Sequence, residues 1–69
     1  MHESWQKIYT SLNEYRAEIV RAILEENDLS PILVSKKDST YHFGHYELYV
    51  MPENVLRAIK IIQDEIQFE

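Results

Sequence analysis

Apolar and polar positions along this chain change their period at a single proline, and the other elements can be placed around that change. Tyr46, Leu48 and Val50 alternate with Glu47, Tyr49 and Met51, the two-residue repeat of a strand with one face buried. Beyond Pro52 the apolar set becomes Val55, Ala58, Ile59, Ile62 and Ile66, spaced three and four apart on one face of a helix. Pro52 suits the first helical turn, where the amide it lacks would have no intrahelical partner. Glu53 beside it complements the positive end of the helix dipole.

Upstream, Trp5 to Thr10 (WQKIYT) is rich in aromatic and β-branched residues and reads as a strand. Its alternation predicts Trp5, Lys7 and Tyr9 on one side, with Gln6, Ile8 and Thr10 on the other, Ile8 being the best candidate for burial. Ser11-Leu-Asn-Glu14 has the S-x-x-E form of a capping box and predicts a helix from about Leu12 to Asn27. Tyr15, Ile19 and Ile23 form its main apolar stripe, widened by Leu12, Val20, Ala22 and Leu24. Asn27-Asp28 ends it, Asn being able to adopt the left-handed conformation common just past a helix end. Leu29 to Ser35 (LSPILVS) predicts a second strand, with Ile32 and Val34 on one face and Leu33 on the other. Ser35 to His45 is polar except for Tyr41 and Phe43 and reads as a loop joining two strands.

The order strand, helix, strand, strand, helix predicts one α+β domain over residues 1–69, with its core at about 5–66. The expected architecture is a ferredoxin-like plait in which both helices shelter one face of a three-stranded antiparallel sheet and the first and third strands are neighbours. Only Gln67, Phe68 and Glu69 follow the second helix, so a fourth strand is expected to be short or absent.

Size and charge narrow the function. A 69-residue domain buries only about 60% of its unfolded surface, so self-association is a natural supplement to its stability. With no cysteine the chain has neither disulfide framework nor thiolate site. Its first residues have no signal-peptide form and its apolar runs are far below the roughly 20 residues of a membrane span, so a cytoplasmic location is expected. Twelve acidic against seven basic side chains, a net charge of −5, argue against nucleic acid as a partner.

The segments WQKIYTS, AEIVRAILEENDLSPILV and ELYVMPENVLRAIKII resemble the small bacterial family described as prokaryotic signal-transducing proteins, a domain family of unknown function distantly similar to nitrogen-regulatory PII proteins. The resemblance runs from about Trp5 to Glu65. It is carried by Tyr9-Thr10, Ala17-Glu18, Leu24, Val50, Pro52-Glu53 and Ala58. Where the family usually has a glycine between the first helix and second strand, this chain has Asn27-Asp28-Leu29. The resemblance implies a ferredoxin-like fold and a regulatory or ligand-sensing role, and none of the matching residues forms a catalytic motif.

Three features are candidates for chemistry. His42-Phe-Gly-His45 could ligate a divalent metal with Asp38 or His2, but an HxxH spacing in a loop has no fixed geometry, so no metal or other cofactor is expected. Lys36, Lys37, Tyr41, His42 and His45 could receive a small anion such as a nucleotide, in the connection that PII proteins use for contacts, although no glycine-rich phosphate cradle accompanies them. The third feature is the sheet face away from the helices, expected to show Trp5, Lys7, Tyr9, Leu33, Glu47 and Tyr49. An exposed aromatic patch there suits a protein partner or a second copy of the chain. Single-stranded RNA is the weaker fit, because basic residues are few and Glu47 repels phosphate. No nucleophile and base stand at a suggestive spacing, so the expectation is a binding or regulatory module and not an enzyme.

Overall fold

The structure, a computed structural model, describes residues 4–38 and 43–66. Strand β1 (Gln6–Ser11) leads to helix α1 (Glu14–Glu26), β2 (Ile32–Asp38) and β3 (Phe43–Val50). A 3-10 turn at Pro52–Asn54 then opens helix α2 (Val55–Glu65). The three strands form one sheet in the order β1-β3-β2, with β3 antiparallel to both neighbours. This is the expected α+β arrangement, consistent with a ferredoxin-like plait.

The core lies on one side of that sheet. Leu48 and Val50 of β3 meet Val20 and Leu24 of α1, Ala58 of α2 and Leu29 of the α1–β2 connection, all at most 1% exposed. Ile8, Tyr9, Leu33, Val55, Ile61, Ile62 and Ile66 pack around this cluster. Both helices therefore cover the Leu48 side, and alternation along β3 turns Glu47 and Tyr49 to the other.

Helix α1 is capped differently from the S-x-x-E expectation. Asn13 is the N-cap: its side-chain oxygen accepts from the backbone N–H of Arg16 at 3.2 Å. Ser11 instead ends β1, where its hydroxyl accepts from the N–H of Asn13 at 2.9 Å. Both residues are preferred at helix starts, and the one that leaves β1 room to pair with β3 takes the cap. The buried stripe is also rotated from the expected one, onto Ala17, Val20 and Leu24, and leaves Tyr15 and Leu12 on the surface at 73% and 78% exposure.

The helix ends in a Schellman arrangement. Leu29 N–H reaches Leu24 O at 3.1 Å and Asp28 N–H reaches Glu25 O at 3.0 Å. Asp28, rather than Asn27, takes the left-handed conformation, with φ 65°, and Leu29 drops into the core against the last turn. Ser30 follows at φ 50°, so two residues with a Cβ occupy the region that favours glycine.

Two further expectations are corrected. Ser35 to Asp38 and Phe43 to His45 are strand rather than loop, because the β2–β3 ladder continues from Ile32↔Tyr49 to Asp38↔Phe43. The faces of β2 are inverted: Leu33 pairs with Leu48 on the core side, whereas Ile32 and Val34 stand opposite Tyr49 and Glu47 on the open side. Two β-branched residues outweigh one leucine in a tally of apolar positions, but pairing register decides which side each faces.

Candidate interaction site

The open face is laid out by the ladders as a small grid. Lys7, Tyr49 and Ile32 lie across it in one row; Thr10, Glu47 and Val34 in the next; His45 and Lys36 in the third. An irregularity in β1 makes this layout possible. Lys7 pairs with Tyr49 but Tyr9 pairs with Leu48, so β1 advances two residues while β3 advances one. The extra residue puts Ile8 and Tyr9 both against the core and turns Thr10 outward. Strict alternation had assigned Tyr9 and Thr10 the other way round.

At the centre of the grid Glu47 is 6% exposed, the one buried charged residue among those described. Its carboxylate accepts from the Tyr49 hydroxyl at 2.6 Å on Oε1 and from His45 Nε2 at 2.8 Å on Oε2. Lys7 on β1 brings its ammonium to 3.7 Å from Oε2, and Lys36 on β2 brings its own to 3.8 Å from Oε1. One carboxylate on the central strand thus gathers side chains from all three strands. No helix lies above it; the long lysine stems, half-exposed at their tips, shield it together with the two rings.

These contacts fix its ionisation. Donation from the Tyr49 hydroxyl, then from His45, lowers the Glu47 carboxyl to about 2, with smaller help from the fields of Lys7 and Lys36 and against the opposing effect of desolvation. The ionised carboxylate has only acceptors to offer, so His45 must donate from Nε2. The Tyr49 phenol is correspondingly raised above its usual value, chiefly because its proton is held by Glu47.

Beside this polar hub lies an apolar depression of about 320 Å³ lined by Trp5, Ile32, Val34 and Tyr49. Tyr49 belongs to both regions: its ring lines the depression and its hydroxyl caps Glu47. Of the residues expected on this face, Trp5, Lys7, Glu47 and Tyr49 are brought together here, while Tyr9 and Leu33 pack toward the core.

The residues expected to receive an anion are divided. Lys36 and His45 converge on Glu47 from neighbouring strands, opposite one another in the ladder. Lys37 pairs with Gly44, and Tyr41 and His42 lie outside the described residues, as does His2. Among the described residues no group of three His, Cys, Asp or Glu is placed to hold a metal ion. Nor is any helix among them long and apolar enough to cross a membrane.

Sequence reasoning missed Ile32 and Val34 as lining residues and read Glu47 only as a repulsive charge. The signal for the hub was present: His45, Glu47 and Tyr49 stand at spacing two on one strand, which places an acceptor between two donors on one face. No family model, curated protein or solved structure matches this chain.

Proposed function

We propose that this protein is a non-enzymatic binding module that associates with a protein partner through the open face of its sheet, in a regulatory role of the kind the sequence resemblance implies. The observation that carries the reading is the depression formed by Trp5, Ile32, Val34 and Tyr49 on the side the helices leave uncovered. Apolar and aromatic groups cost free energy when left against water, and a contiguous patch of them on a small domain is typical of a surface that is covered in use. Tyr and Trp are also the residue types that most often dominate interface energetics.

A photo-crosslinking amino acid placed at Val34, and in a separate variant at Arg57 on the exposed side of α2, tests this in the cells that make the protein. A discrete protein adduct from position 34 and none from position 57 is the expected result. Adducts from position 57 alone would move the interaction to the helices. A loss of mass in sedimentation when Val34 is changed to Gln would identify the partner as a second copy.

Recognition of a small anion is a second reading, favoured by Lys7, Lys36 and His45 all surrounding one carboxylate. Thermal-shift screening against nucleotides separates it: a midpoint that rises with ligand and not in a Lys36→Gln variant supports it, and no rise with any nucleotide removes it.

A further inference from the structure

The charge balance of the open face says what kind of partner fits it. Glu47 supplies one negative charge, and its two short hydrogen bonds go to Tyr49 and His45. Lys7 and Lys36 share that same carboxylate at 3.7 and 3.8 Å, within ion-pair range but beyond hydrogen-bond reach. Around Glu47, two ammonium groups thus stand against one carboxylate, a local positive excess on a chain whose overall charge is −5. On the helices, Arg21 and Lys60 are matched more closely: Arg21 bonds Glu18 and Glu25 at 2.7 Å each, and Lys60 lies 3.3 Å from Asp64. The lysine ammonium groups on the open face are thus both half-exposed and make an ion pair, but no hydrogen bond, with their nearest anion.

We infer that the open face takes an acidic segment of a different protein, in which an apolar or aromatic side chain enters the Trp5–Ile32–Val34–Tyr49 depression and flanking carboxylates meet Lys7 and Lys36. This rests on the reading of that face as a protein interface and adds the chemistry of its partner. A second copy of the face would bring two more lysines and only one more carboxylate, itself already held by Tyr49 and His45, so its charge complements this face less well than an acidic segment does. Single-stranded RNA would also offer rings and negative charge. Two lysines over a buried carboxylate, on an acidic chain, give it little of the cation density that phosphate binding draws on. A peptide carboxylate needs only one or two donors, and an ammonium–carboxylate hydrogen bond is a strong one once water is excluded.

The test uses two short probes and the intact chain. The tripeptides N-acetyl-Asp-Phe-Asp-amide and N-acetyl-Asn-Phe-Asn-amide are nearly isosteric and differ in charge. Each is titrated at low salt into isotopically labelled protein, with backbone amide shifts and Trp5 fluorescence as readouts; Trp5 is the only tryptophan in the chain. The acidic peptide is expected to shift the amides of residues 32, 34, 45, 47 and 49 and to bind at least about fivefold more tightly than the neutral one, a difference that salt reduces. In a Lys7→Gln, Lys36→Gln double variant that keeps the parent's amide spectrum elsewhere, the two peptides become equivalent. Equal affinity of both peptides for the parent, or shifts confined to the helices, would overturn the inference. So would no binding by either. Tighter binding of an oligouridylate than of the acidic peptide would overturn it in favour of RNA. Failure of the peptides beside a discrete adduct at position 34 would leave the interface reading standing and remove only the acidic partner.

Discussion

The two faces of this sheet bury neighbouring residues of the same strand by opposite means. Leu48 is inaccessible because α1 and α2 lay Val20, Leu24 and Ala58 over it, in surroundings that are wholly apolar. Glu47, one residue earlier, is nearly as inaccessible with no helix above it, enclosed by Tyr49, His45 and two lysines. The first arrangement gains from removing apolar surface from water and contains no group that titrates. The second depends on keeping one carboxylate ionised and its donors in place. A face held together in this way leaves its lysine tips and its apolar depression open to something else, which the helix-covered face cannot do.

The contrast can be broken first at its apolar side. Leu24→Ala should cost about 2–5 kcal/mol, since it opens a cavity in a fully buried cluster. A domain of this length is expected to have a total stability of only about 3–10 kcal/mol, so the variant should lose much of its cooperative thermal transition in calorimetry.

The next effect is at Glu47. Its folded-state carboxyl, held at about 2, lies below the ordinary glutamate value of about 4.3. The stability it contributes is therefore complete above that ordinary value and is lost as pH falls through about 2. Glu47→Gln should lower the urea midpoint at pH 7, and the gap between variant and parent should narrow as pH is taken from 4.5 toward 2. A gap that stayed constant over that range would mean that the carboxylate is not held by its neighbours.

Smaller effects sharpen the account of what positions the two faces. Asn13→Ala should destabilise by about 1 kcal/mol, read from the same urea titrations, because it removes the side chain that satisfies the Arg16 amide. Ser11→Ala should cost less, since Ser11 is not the cap. Asp28→Gly should stabilise by about 0.5–1 kcal/mol, because glycine takes the φ of 65° without steric cost.

Much of this architecture was legible in the sequence, and what was not has particular causes. The period change at Pro52 located β3 and α2, and the order of elements gave the α+β arrangement with β1 beside β3. The side each residue faces was harder, because it depends on partners far away in the chain. One extra residue in β1 turns Tyr9 inward, and the pairing of Leu33 with Leu48 inverts β2; neither event leaves a mark in local alternation. In α1 the apolar residues span a broad arc opposite the strip of Glu14, Glu18, Arg21 and Glu25, so their spacing could not choose between a stripe centred on Tyr15 and Ile19 and one centred on Ala17 and Val20. The hub at Glu47 needed both lysines, 29 positions apart, to be placed over a strand that follows them, and only the assembled sheet does that.

The division between the faces is tested most directly at two adjacent residues of β2. Leu33→Gln and Val34→Gln introduce the same side chain one position apart, and their urea unfolding can be compared with that of the parent. Val34→Gln should unfold within about 1 kcal/mol of the parent, while Leu33→Gln, which replaces a half-buried side chain packed against the core beside Leu48, should cost about 2 kcal/mol or more. Tolerance of Gln at 33 with collapse at 34 would place the core on the other side of the sheet and contradict the account.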